Sequence, residues 1–143
     1  MSSTDVRTIV KNEMDAFSAA NNIAWFDLSD YNDNSDLPSS LSEPFLLVQY
    51  VGGMDNIATL ATDGIGWIES GLIMIHIVVP TGFKAKIALD IASNIIPIFE
   101  MRRFGQVVFE EFDAFTDQVG SAIRVDGAWH GWTGAIAYYR NHF

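Results

Sequence analysis

Gly66-Trp-Ile-Glu-Ser-Gly71-Leu-Ile-Met-Ile-His76-Ile-Val-Val79, then Pro80-Thr-Gly82, then a run with a different period, is the stretch that decides the fold. Its second half is crowded with β-branched residues, Ile73, Ile75, Ile77, Val78 and Val79, which suit a pleated and buried strand. Pro80 stops the ladder and Gly82 frees the turn. From there Ala85, Ala88, Leu89, Ile91, Ala92, Ile95, Ile96 and Phe99 recur at helical spacing, predicting a helix from about 83 to 100 with a broad apolar face. Pro97 lacks a donor and crowds the carbonyl of Ser93, so a kink or a tightened last turn is expected there. The strand poses a problem of length. Fourteen residues from Gly66 to Val79 at 3.3 Å each would run roughly 46 Å, beyond the usual strand. It is expected to bend near Gly71 and leave the globule, carrying residues 56–70 as a protruding hairpin.

Working outward from this stretch, Pro44 to Val51 reads as a strand stopped by Gly52-Gly53. Asn56 to Thr62 reads as a weaker one stopped by Asp63-Gly64, which together predict a meander. Val6, Ile9, Val10, Met14 and Phe17 form one stripe behind the capping residues Ser2-Ser3-Thr4-Asp5, so residues 4–20 are predicted as an amphipathic helix. Residues 21–43 turn to Asp, Asn and Ser and read as a long irregular loop with Trp25-Phe26 pinned onto the core. Downstream, Gln106 to Asp113 and Val119 to Val125 read as strands, and Asp126-Gly127 as a hairpin turn into a last strand, Trp129 to Arg140. In that strand Trp132, Gly134, Ile136 and Tyr138 share one face, and Thr133, Ala135, Ala137 and Tyr139 the other. The result is a single α+β domain over residues 1–143: a mainly antiparallel or mixed sheet of about five to six strands backed by two helices.

Composition narrows the function classes. Of 143 residues 49% are hydrophobic but only 18% charged, where about 25% is typical, so some apolar surface is expected to be covered by other copies. With 8 Lys+Arg against 18 Asp+Glu the formal charge is −10, which opposes unaided binding to nucleic acid or an anionic membrane. No apolar run approaches the ~20 residues of a membrane span, and the N-terminus lacks the pattern of a signal peptide. Synthesis in the cytoplasm is therefore the expectation. The absence of cysteine removes disulfide and thiol chemistry.

Candidate chemistry is sparse. Asp30, Asn32, Asn34 and Asp36 stand at the first ligand spacings of a calcium loop, but Ser35 replaces the turn glycine and Leu41 the bidentate glutamate. His76, His130 and His142 lack metal-ligand spacing and read as surface or interface residues. Glu110 and Glu111 fall on opposite faces of a strand under simple alternation, which disfavours an acid/base dyad. Nucleophile elbows and phosphate-binding glycine motifs are absent from the sequence. Neither a catalytic residue, a metal ligand nor a cofactor is therefore expected. The cluster Trp129-His-Gly-Trp132 with Tyr138-Tyr139 has no interleaved cation and reads as core and not as a base-stacking platform.

The order of these landmarks resembles the tail-terminator family of long-tailed phages. The resemblance rests on the N-terminal helix, Ala24-Trp25, Pro44-Phe-Leu-Leu-Val-Gln-Tyr50, the block Gly71 to Gly82 leading into the helix Lys84 to Phe99, Gln106-Val-Val-Phe109, and Gly127 to Tyr138. The strand-Pro-x-Gly-helix junction is its most distinctive part. It implies a non-enzymatic virion protein, a hexameric ring that caps the tail tube and meets the neck proteins, with genomic DNA passing through its lumen unbound. Other neck ring subunits (stopper, adaptor or joining protein) and a non-viral ligand-binding domain are the alternative readings. Two site assignments follow: Ile57, Leu60, Ile65, Trp67 and Ile68 as a self-assembly arm, and Asp30, Asp33, Asp36, Glu110, Glu111, Asp113 and Asp117 as acidic lumen or rim.

Overall fold

The computed structural model describes residues 4–28, 43–61, 64–80, 85–113, 115–117 and 129–142. Its elements, in chain order, are α1 (Thr4–Asn21), β1 (Ala24–Asp27), β2 (Phe45–Ala61), β3 (Gly64–Pro80), α2 (Ala85–Phe99), β4 (Arg103–Phe104), β5 (Val107–Phe112), β6 (Thr116–Asp117) and β7 (Trp129–His142). One sheet runs in the order β1-β2-β3-β7-β5-β4, with the short β6 paired to β7. Every pairing is antiparallel except β1 on β2. The α+β expectation therefore holds, with a mixed sheet and two helices on one of its faces.

Alternation along β3 explains why the helices choose that face. Ile73, Ile75, Ile77 and Val79 are buried in one cluster with Val6, Val10, Met14 and Phe17 of α1 and Ala88, Ile91, Ala92, Ile95 and Phe99 of α2. Leu46 and Val48 of β2 and Ile136 and Tyr138 of β7 extend the same layer, as period-two patterning on adjacent strands requires. A fully buried isoleucine of this kind contributes roughly 2–3 kcal/mol. The α2 stripe closes over the sheet, and Pro97 falls within its last turn, where the helix runs on to Phe99. Beyond it Met101 takes a left-handed backbone, φ 57°, and its N–H donates to the Glu110 carbonyl, so the helix end is tied straight to β5. Gly105, φ 63°, then turns β4 into β5.

Several expectations are corrected. Ala24–Asp27 is a parallel edge strand instead of irregular loop, and it splits the Trp25-Phe26 pair. Trp25 packs against the helix-side core while Phe26 meets Phe45 on the opposite face, with ring centroids 5.8 Å apart. The two strands expected between Pro44 and Thr62 are one strand, β2, because Gly52-Gly53 makes a bulge and not a turn; the register steps from Gly52↔Gly71 to Met54↔Ser70. The meander is thus a single long hairpin. Nor does β3 leave the sheet alone at Gly71, since β7 stays paired with it as far as Trp67↔His142. Gly71 matters for another reason: a Cβ there would sit 2.7 Å from the Tyr138 hydroxyl oxygen, so only glycine lets that ring lie across β3. The expected strand Val119–Val125 and the Asp126-Gly127 turn lie outside the described residues.

Candidate assembly surface

The face of the sheet away from the helices changes character along its length. At one end Phe45, Leu47 and Val78 are buried, with Phe26 and Leu28 packed against them. Beside them His76 is 1% exposed, contrary to the surface or interface position read from the sequence. Its Nε2 lies 3.0 Å from Gln49 Oε1 and its Nδ1 2.7 Å from Thr133 Oγ1. With the amide oxygen facing Nε2, that nitrogen carries the proton and donates, and Nδ1 accepts from the threonine hydroxyl. Burial pushes the His76 pKa down from 6.5 to about 4, so the ring is neutral near pH 7. Three strands are thereby cross-linked by one neutral polar row.

Towards the hairpin the same face opens. Val51 and Leu72 stand directly opposite each other and are 38% and 37% exposed, with Ala137 next in the row across β7. Met74 opposite Ala135, and Ser70 opposite Tyr139, are half-buried neighbours. No charged residue belongs to this strip. It lies at the centre of a sheet, on β2, β3 and β7, where a monomer ordinarily places either a covering layer or polar side chains.

The hairpin lies next to it. The ladder sets Ile57 opposite Trp67 and Leu60 opposite Ile65, and Ile68 opposite Asn56, with a second register step between Ile57 and Thr59. Only β2 and β3 pair beyond Trp67 among the described residues. At its base a polar clamp anchors β3 and β7 to α1. Glu69, buried on the helix side, accepts a hydrogen bond from the Tyr138 hydroxyl at 3.0 Å. Arg140 reaches both Glu69, at 3.7 Å, and Asp5 of α1. Further along α1, Arg7 lies 4.2 Å from the centre of the Tyr50 ring and 3.8 Å from Asp27, while Asp15 accepts from Trp25 Nε1 at 2.9 Å. The Asp15 carboxyl is held below its usual pKa, chiefly by its hydrogen bond from Lys11 and then by that from Trp25.

The acidic assignments separate. Asp30, Asp33 and Asp36 lie outside the described residues. Glu110, Glu111 and Asp113 are exposed, and Asp117 belongs to β6 opposite Trp132. Simple alternation fails at Glu110-Glu111. Phe109 pairs with Tyr138 and Phe112 with Ile136, so a bulge turns both phenylalanines to the core and leaves both glutamates at the surface. Sequence reasoning missed the clamp of Glu69, Tyr138 and Arg140. The one legible signal was a glutamate inside an otherwise apolar strand. Among the described residues no group of three or more His, Asp or Glu is arranged to hold a metal ion. No described helix is long and apolar enough to cross a membrane.

No protein-family model matches the chain. No curated protein matches it either. Among solved structures, one chain is similar over 99% of this chain and 97% of its own length, at 14% identity and a TM-score of 0.63. At that identity the likeness is one of fold.

Proposed function

We propose that this chain is a structural subunit of a long-tailed phage, a tail terminator whose copies close into a ring, hexameric by the resemblance, at the end of the tail tube and meet the neck proteins. The observation that carries the proposal is the uncharged, half-exposed strip around Val51 and Leu72 in a chain only 18% charged. Such a surface suits a subunit more than a free monomer. The type of assembly comes from the resemblance, whose described segments fall on α1, β1, β2, β3, α2, β5 and β7 in order. The hairpin protrudes as the assembly arm in this reading, with Ile57, Leu60, Ile65, Trp67 and Ile68 as its contact residues. Exposed Glu110, Glu111 and Asp113 then suit a lumen wall that genomic DNA passes without gripping, since each phosphate contact by a cation would add a salt-dependent hold.

Negative-stain electron microscopy of the purified protein, with gold-labelled antibody on intact virions, tests this. Rings with an open centre and label at the head-tail junction are expected. A monodisperse monomer and label elsewhere on the particle would defeat the proposal. For the lumen, Glu110→Lys, Glu111→Lys and Asp113→Lys together should leave tails assembled but slow DNA ejection, with rescue by high salt; unchanged ejection at low ionic strength leaves these acids a solubility role only.

A further inference from the structure

We infer that Glu69 latches the far end of the hairpin to the body of the sheet, and that exposed Asp5, at the start of α1, sets this latch through Arg140. The latch stands apart from the ring reading and begins at a seam. On the helix-side face the core layer runs along β3 as far as Ile73. The next row across the sheet is Gly52, Gly71 and Tyr138. Two of its three strands have no side chain there, and β2 is bulged at the same place, so the ladder is weakest along this row. The row's one side chain, the Tyr138 ring, lies across Gly71.

The polar clamp sits astride the seam, and its members belong to different sides of it. On its other edge β7 is held by β5 as far as Arg140, which pairs with Val107, so Tyr138 and Arg140 are fixed to the body. Asp5 is fixed there too, since Val6, its neighbour in α1, is buried in the core. Glu69 is the member beyond the seam, on the hairpin. It is buried, accepts from the Tyr138 hydroxyl at 3.0 Å and lies 3.7 Å from Arg140. When the hairpin end peels from β7, Glu69 leaves both partners. Asp5 governs how firmly Arg140 holds. The guanidinium stands between the buried Glu69 carboxylate and that of Asp5, whose side chain is 69% exposed. Its Nε is buried without a hydrogen-bond partner among the described residues. A cation so enclosed relies on its anions to offset the water it has lost. Without Asp5 the flexible stem lets the guanidinium turn out to solvent, away from Glu69. An exposed ion pair by itself contributes little; this one positions a group that acts on a buried carboxylate.

Hydrogen exchange of the whole chain, read by mass spectrometry, tests the latch. Asp5→Asn should raise exchange at the amides of residues 64–70 on the order of tenfold and leave those of 73–79 unchanged. Asp5→Glu, which keeps the carboxylate within reach of Arg140, should restore the wild-type rate. Glu69→Gln should raise exchange at the same amides at least as far, and Asp5→Asn should then add nothing, because both act through one contact. Asp5 is exposed, so its variants fold even where Glu69→Gln does not by circular dichroism, and the location of the change in Asp5→Asn then decides. A rise confined to α1, a rise that spreads over 73–79, or no rise at all overturns the latch. So does a full further effect of Asp5→Asn in the Glu69→Gln background.

Discussion

The two faces of the central strands were built from similar residues and solved differently. On the helix side every second residue of β3 from Ile73 to Val79 is buried beneath α1 and α2. On the other side burial is complete at Val78 and His76 and fades to Leu72, six residues from Val78. Hydrophobicity alone therefore does not say which face of a strand carries stability. Stability comes where helices remove apolar area from water; an equally apolar face without them is left partly in contact with it.

The sharpest way to break that contrast is truncation on each face. Ile75→Ala should cost about 2–5 kcal/mol in urea unfolding, through lost burial and the cavity left under the helices. Leu72→Ala, already more than a third exposed, should cost less than about 1 kcal/mol in the isolated chain. Equal costs would mean that the open face is covered within one copy.

His76 tests the buried end of the open face. Its folded pKa, about 4, lies below the unfolded value of 6.5, so the unfolded chain takes up the proton first as pH falls. Its contribution is fully present above about pH 6.5 and lost progressively down to about pH 4, a change on the order of 3 kcal/mol. Unfolding free energies measured across that window should show this loss, and His76→Gln should remove the part of the slope due to the imidazole. An identical slope in the variant would assign the acid sensitivity to other groups.

A smaller effect is expected at the clamp. Tyr138→Phe removes the hydroxyl donor to buried Glu69 and should cost about 1–2 kcal/mol, while amide exchange rises at the base of the hairpin before it rises under α2. Uniform exchange would show that the clamp does not distinguish the hairpin from the body.

The smallest concerns Met101, 71% exposed with a left-handed backbone. Met101→Gly relieves that conformation and should stabilise the fold by about 0.5–1 kcal/mol, partly offset by the greater freedom of glycine in the unfolded chain. A loss of stability would mean that the methionine packs on the fold more than its exposure implies.

Much of the helix-side layer was legible in the residues. The stripe Val6, Val10, Met14, Phe17, the β-branched run to Val79 and the switch of period after Pro80 each report a local geometry, because periodicity is a property of short segments. Glycine was less informative. Gly52-Gly53 carries the same local signal whether the chain turns or bulges, and the choice fell to β3, which offered a continuous partner on both sides of it. The same holds at Glu110-Glu111, where an extra residue was accommodated so that Phe109 and Phe112 both reach the core.

What the sequence by itself determined is the two helices, the long strand β3 and the apolar face of each, since these follow from side-chain size, branching and spacing along a few turns or pleats. Tertiary structure alone decided that Ala24–Asp27 joins β2 in parallel, that His76 is buried between Gln49 and Thr133, and that Glu69 meets Tyr138 and Arg140. Each of those depends on partners 21 to 71 positions away in the chain. A pairing between distant residues leaves no trace in the period of either segment; it exists only once sheet order and register have brought them to the same place.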